Sequence, residues 1–286
     1  DLITVTSPSG AHEKAALAAA RAGKHCIVEK PLEITLPRID AMIAAHEAAG
    51  TRLGGIFNAR YAEGSVLLKR AVDQGRFGRI TFASAQGPWW REQSYYDEGG
   101  WKGKKAMDGG GALMNQGIHT IDQLQWLVGN PVTTVCGHIT MLAHERIDVE
   151  DTGAATLRFA NGALGQIAAT TSMWPGHHRT ITLGGTDGSA VLTDGDLLFW
   201  KFRHETPEDE RIRAEMLKMP GMGVGAADPR AGLSHEGHAA NFAEFLAALE
   251  TGTPPLLDGR ESRKSVAIIL AVYESSRRGG APVAVG

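Results

Sequence analysis

Apolar residues in the first part of the chain fall into short strand-like runs separated by stretches with helical spacing. Residues 2–6 (LITVT) form the first run. A Ser7-Pro8-Ser9-Gly10 turn follows, with Ser9 placed to cap a helix over 11–22, and Gly23 suits the left-handed position after it. Residues 25–28 (HCIV) are a second strand and 35–49 a second helix stopped by Gly50. Residues 52–57 supply a third strand. Strands joined through helices of this length form right-handed crossovers in a parallel sheet. The pattern predicts half of a doubly wound domain over residues 1–57.

After Asn58 the periodicity changes. A helix over 63–74, a strand over 79–86, a polar, aromatic-rich loop over 89–107 and a helix over 114–128 come first. Six strand-like segments then fill 132–202, with turn dipeptides at Asn161-Gly162, Asp187-Gly188 and Asp194-Gly195. Strands that follow one another without helices pair antiparallel. Helices over 235–251 and 259–278 close the chain, and 205–232 reads as a long loop. The predicted fold class is therefore α/β plus α+β: a partial parallel sheet, then a domain over 58–286 with a large, mainly antiparallel sheet flanked by helices. The apolar positions Ala155, Leu157, Phe159, Ile181 and Leu183 alternate along that sheet, and its own half has few helices to cover both faces. Association through the sheet, as a homodimer or homotetramer, is the expectation.

Composition narrows the classes. The 286 residues carry 29 basic and 32 acidic side chains, a formal charge of -3, which argues against a nucleic-acid-binding face. Hydrophobic residues make up 43%, enough for a sizeable core. Cys26 and Cys136 stand too far apart for a disulfide framework or a zinc cluster, and the pairs His177-His178 and His235 with His238 lack metal-site partners, so no metal site is expected. No apolar run is long enough to span a membrane and no signal peptide is evident, so a cytoplasmic protein is expected. The chain opens at Asp1, directly before an apolar strand, and is expected to be cut from something longer.

Ligands of open α/β sheets bind at the carboxyl ends of the parallel strands. Here those ends carry Ser7-Pro8-Ser9, Glu29-Lys30-Pro31, and Asn58 with Arg60. The helix start after Ser9 can receive a phosphate, although Ser9 can equally be a simple cap and Lys30 a solvated loop lysine. A richer segment runs from Gly109 to Asp122 (GGGALMNQGIHTID). In helical spacing Asn115 and His119 share a face, Asp122 lies one turn on, and Met114, Ile118, Ile121 and Val128 form an adjacent apolar stripe. That suits an imidazole base with an amide beside it and a carboxylate to orient it. Spacing alone leaves equal room for a core-flanking histidine satisfied by Asp122; the three glycines, which permit close approach to a ligand, favour the functional reading. The run Gly221-Met-Gly223-Val-Gly225 follows no strand and is not taken as a dinucleotide turn.

Three of these motifs, in this order, resemble the Gfo/Idh/MocA oxidoreductases, which act on sugars, polyols and nucleotide sugars. Asp1 to His12 is similar to the family strand ending in T-P-N-x-x-H, with Ser7 and Ser9 as departures. Glu29-Lys30-Pro31 is similar to its E-K-P signature. Gly109 to Asp122 is similar to G-G-G-x-L-x-D-x-G-x-H-x-x-D, with Asn115 where the family has aspartate. Tyr273-Glu-Ser-Ser276, Gly279 and Val283 resemble the family ending. The resemblance implies that residues 1–57 are the C-terminal half of a Rossmann NAD(P)-binding domain, without its G-x-G-x-x-G turn, and that 58–286 bind substrate and oligomerise. It implies NAD or NADP as cofactor and a dehydrogenase of a sugar, cyclitol or nucleotide-sugar hydroxyl. Lys30 would hold the reacting hydroxyl and His119 take its proton, while Asn115 orients it. Ser7, Ser9, His12, Glu29, Lys30 and Asn58 would face the cofactor. Arg60, Trp90, Arg91, Tyr96, Asn115, His119 and His235 would face the substrate, and Trp101 is a weaker candidate. Tyr95-Tyr96, Trp101-Lys102-Gly103 and residues 111–116 look like enzymes of nucleotide-linked N-acetylamino-sugar uronates. An NAD-dependent glycosidase on the same scaffold, and a non-catalytic sugar-sensing relative, are the alternatives; Lys30 kept together with His119 argues against the second.

Overall fold

The computed structural model describes residues 1–98, 100–217 and 235–286. Strand β1 (Leu2–Val5) is followed by helix α1 (His12–Arg21), β2 (His25–Val28), α2 (Leu36–Ala48) and β3 (Leu53–Gly55). The three strands pair in parallel in the order β1-β2-β3, as the crossover pattern requires. Ser9 lies in a tight 3-10 turn before α1 and makes no side-chain cap to it, contrary to its expected role.

Helix α3 (Glu63–Asp73) leads into β4 (Ile80–Pro88). The expected loop after it contains two short helices, α4 (Gln93–Asp97) and α5 (Lys105–Asp108). A π-helical turn, Ala112–Gly117, then runs into α6 (Ile118–Val128). The second sheet is built from β5 (Val132–Thr140), β6 (Thr152–Phe159), β7 (Leu164–Thr170), β8 (Thr180–Gly185), β9 (Gly188–Thr193) and β10 (Asp196–Phe202). Three helices complete the described chain with a short strand: α7 (Pro207–Met216), α8 (Glu236–Thr251) and α9 (Gly259–Arg277), then β11 (Val283–Ala284) on the sheet edge. Helix α7 sits inside the stretch expected to be loop; its Thr206–Asp209 capping box is a start signal that the charge-rich composition masked. The Gly221–Gly225 run lies outside the described residues.

The eight strands order as β10-β9-β8-β4-β7-β6-β5-β11, and β4 pairs in parallel with β7 and antiparallel with β8. A strand from the early chain thus occupies the middle of an otherwise antiparallel sheet. One face of β6 and β7 is buried at alternate residues. Ala155, Leu157, Phe159, Ile181 and Leu183 all lie on that inner face, in the chain's own core with Ile118, Ile121 and Val272. They therefore do not form an association surface: α6 and α9 cover them. The outer face instead exposes Phe82, Leu164 and Phe199. Helix α9 packs on α2 and β3 of the small sheet and on β5 and α6 of the large one, joining the two.

Candidate active site

A cleft of about 920 Å³ opens where the carboxyl ends of β2 and β3 meet α6 and the loop after β4. Glu29 and Lys30 follow β2, and Asn58 follows β3. Asn115, Gln116 and His119 come from the π-helical turn and α6. Trp89, Arg91, Tyr95 and Lys102 come from the loop, and Arg179, Asp194 and His238 close the far side. Residues 85 positions apart in sequence meet here: Lys30 Nζ donates to the Asn115 carbonyl at 2.8 Å and lies 3.4 Å from its side-chain oxygen.

The loop carrying Lys30 is held from behind. The His12 ring nitrogens lie 3.0 Å from the Pro31 carbonyl and 2.8 Å from the Ser7 carbonyl, tying the ends of β1 and β2 together. His12 is buried and is a brace for the strand ends; it does not line the cleft. Ser9 is also buried, and a side chain at Gly10 would stand 2.8 Å from the Ala106 carbonyl. Helix α5 therefore closes the helix start that the sequence offered to a phosphate.

His119 faces the cleft with its ring edge-on to Phe57, centroids 5.9 Å apart. Its Nδ1 is buried and makes no hydrogen bond to a described residue. Burial, then the charges of Lys30, Arg179 and His238, push its pKa well below the usual histidine value. The imidazole is thus neutral at neutral pH and available as a proton acceptor. Burial also lowers the Lys30 ammonium's pKa, against which Glu29 and Asp108 hold the charge in place.

Several expected residues are placed elsewhere. Asp122 does not orient His119: both its oxygens bind Arg60, at 2.7 Å each. Arg60 is fully buried, also bonds Glu261 at 3.0 Å, and lies over Trp126, so it is a core ion pair and no cleft residue. Tyr96 is buried with its hydroxyl on Thr171, and its neighbour Tyr95 lines the cleft. Trp90 bonds Glu92 and packs on His144, leaving Trp89 at the cleft. His235 is exposed just before α8, and His238, one turn on, reaches the cleft with Asn58 and Glu29 beside it. The three glycines serve the protein's own packing. A Cβ on Gly110 would sit 1.9 Å from the Tyr273 hydroxyl, and one on Gly111 would sit 1.9 Å from the Glu150 carbonyl. Beside these, Lys102 and Gln116 join the site from segments whose likeness gives neither residue a role, while Asp108 and Arg179 join it with no motif to announce them.

Residues 1–56 match the oxidoreductase-family model for an NAD-binding Rossmann fold, and residues 66–191 match the GFO/IDH/MocA C-terminal domain. The chain belongs to the Gfo/Idh/MocA oxidoreductase family. Levoglucosan dehydrogenase of Pseudarthrobacter phenanthrenivorans is 31% identical over 67% of this chain and 55% of its own length. Myo-inositol 2-dehydrogenase of Thermotoga maritima is 29% identical over 68% of this chain and 60% of its own. The chain thus spans little more than half the length of these curated relatives. The WlbA dehydrogenase of Bordetella pertussis, solved in complex with NADH and UDP-GlcNAcA, superposes with a TM-score of 0.86 at 33% identity; the match covers 100% of this chain and 80% of that one. Among the described residues, no helix is long and apolar enough to cross a membrane.

Proposed function

We propose that this chain carries the substrate side and part of the cofactor side of an NAD(P)-dependent dehydrogenase that oxidises a hydroxyl of a sugar or cyclitol. The finer reading is a nucleotide-linked N-acetylamino-sugar uronate, supported by the likeness to a dehydrogenase solved with UDP-GlcNAcA and by the size and the several cations of the cleft. The observation that carries the reading is one cleft in which a lysine ammonium stands near an imidazole held neutral.

In this reading residues 1–57 are the cofactor-binding part and 58–286 the substrate-binding part, with Lys30 and Asn58 at the border between them. Glu29 and Asn58 open onto the cleft at the ends of β2 and β3, and their carboxylate and amide suit ribose hydroxyls and a carboxamide. The nicotinamide, when bound, accepts the hydride. Lys30 donates to the substrate oxygen and stabilises its developing negative charge. His119 takes the hydroxyl proton. Asn115 holds Lys30 through its carbonyl and amide oxygens. Outward-facing Phe82, Leu164 and Phe199 are where we place self-association.

NADH formation from NAD+ tests the reading, with UDP-GlcNAcA, levoglucosan and myo-inositol offered in turn. His119→Ala should lower turnover about 10²–10⁴-fold, with Lys30→Met at least as damaging. Calorimetry with UDP-GlcNAcA reads the substrate cleft independently of turnover. Binding of none of the three compounds, or unchanged turnover in His119→Ala, would overturn the proposal.

A further inference from the structure

The family motif quoted above has a carboxylate at the position of Asn115. Here an amide stands there, and a different carboxylate stands directly behind it. Asp108, at the end of α5, is 1% exposed, and its Oδ1 accepts from Asn115 Nδ2 at 2.6 Å. We propose that Asp108 is a positioning residue for the reacting hydroxyl, acting through Asn115, so that the two together replace the single carboxylate of the family pattern. The inference rests on the dehydrogenase reading.

A side-chain amide has two ends, and a carboxylate fixes which end goes where. Ionised Asp108 only accepts, so it must face the NH₂ of Asn115. That turns Oδ1 toward Lys30 Nζ, 3.4 Å away. Gln116 enforces the same choice: its Nε2 donates to Asn115 Oδ1 at 3.2 Å, while its Oε1 accepts from Arg91 at 2.9 Å. Asp108 is itself fixed, because its Oδ2 accepts the Gly103 amide at 2.8 Å. Each link in the chain Arg91–Gln116–Asn115–Asp108 runs from a donor to an acceptor, and flipping Asn115 would break three contacts together.

The displaced carboxylate also changes the field at Lys30. A carboxylate at position 115 would touch the ammonium and compete with the substrate oxygen for its protons. With the charge one side chain further back, Lys30 has a neutral amide beside it and still feels a negative charge that, with Glu29, works against its burial. Its protons stay available to an alkoxide.

Asp108→Asn, Asn115→Asp and the double exchange give a signed test. Lys30 titration is read as the pH dependence of its labelling by an amine-selective reagent, quantified by mass spectrometry of its peptide. Loss of the Asp108 charge should shift the Lys30 midpoint to lower pH. Asn115→Asp places a carboxylate beside the ammonium and should shift it to higher pH. The double exchange should bring it back toward the parent value and recover turnover lost in each single variant, kcat responding more than KM. A residue that only supports the loop would give no such opposite shifts and no recovery. Equal shifts in both single variants, or a double variant no better than the worse single one, would overturn the proposal. If the parent chain binds none of UDP-GlcNAcA, levoglucosan and myo-inositol, the dehydrogenase reading fails, while the labelling pattern still decides whether Asp108 acts on Lys30.

Discussion

Arg60 and Asp122 form a bidentate pair with no side-chain exposure on either partner, three residues beyond the proposed base on α6. Truncating Asp122→Ala removes two 2.7 Å bonds and leaves a guanidinium that cannot lose its proton. Breaking a buried pair by removing one partner costs about 3–5 kcal/mol. Arg60 Nη1 already lacks a described partner, so the variant would orphan Nε as well. Glu261 remains 3.0 Å from Nη2 and Trp126 remains over the guanidinium, which sets the expectation at the lower end, about 3 kcal/mol. Urea unfolding at neutral pH, followed by tryptophan fluorescence and circular dichroism together, reads the loss. The double variant Arg60→Met/Asp122→Leu removes both charges and should lie within about 1–2 kcal/mol of the parent, since apolar replacement of a whole buried pair is often neutral. Glu261 tolerates it, being partly exposed and paired with Lys264. A loss below about 1 kcal/mol in Asp122→Ala, or a double variant as unstable as the single one, would refute the view of this pair as a buried, mutually dependent unit.

Gly111→Ala should destabilise the chain by several kcal/mol or prevent folding, because the new methyl would meet the backbone carbonyl of Glu150, which has no rotamer to yield; thermal melting checks it. His119 should stay unprotonated as pH falls through the usual histidine range. The unfolded chain then binds the proton and the native state does not, so His119 contributes a loss of stability on acidification below about pH 6.5 that His119→Gln removes; imidazole NMR and urea midpoints against pH read both. Leu164→Glu, on the outer sheet face, should reduce self-association in light scattering while leaving the melting temperature of the separated chain near the parent's.

Elements whose apolar pattern is strict were legible in the sequence. The strand at 25–28 has its predicted ends, and every other predicted helix and strand exists with its ends moved by a few residues at most. What the pattern could not give was pairing across distance. Residues 79–86 read as a strand, but nothing in their alternation says that β4 lies between β7 and β8. Within the site, Lys30, Asn115 and His119 were legible because each belongs to a motif. Arg60 was misread because its neighbour Asn58 opens onto the cleft and a two-residue step turns the side chain into the core. Tyr96 and Trp90 were exchanged for Tyr95 and Trp89 because adjacent aromatics point oppositely, and only the packing of Trp90 and Tyr96 against His144 shows which of each pair turns from the cleft. Asp108 could not be found at all, since its importance comes from a bond to a residue seven positions on.

The placement of β4 has a consequence for the order in which the molecule can be made. Its parallel partner β7 begins at Leu164, well after β4 ends at Pro88, and β8 follows later still. At about 5–20 residues per second, a ribosome needs several seconds to deliver β7 once β4 has emerged. During that interval a nine-residue strand, with Phe82 on one face and Ala83 and Ala85 on the other, has neither neighbour to bond. The small parallel sheet can form behind it meanwhile, since all three of its strands lie upstream. The nascent chain therefore passes through a stage in which the centre of the large sheet waits as an unpaired ribbon, the point at which a chaperone has most to protect.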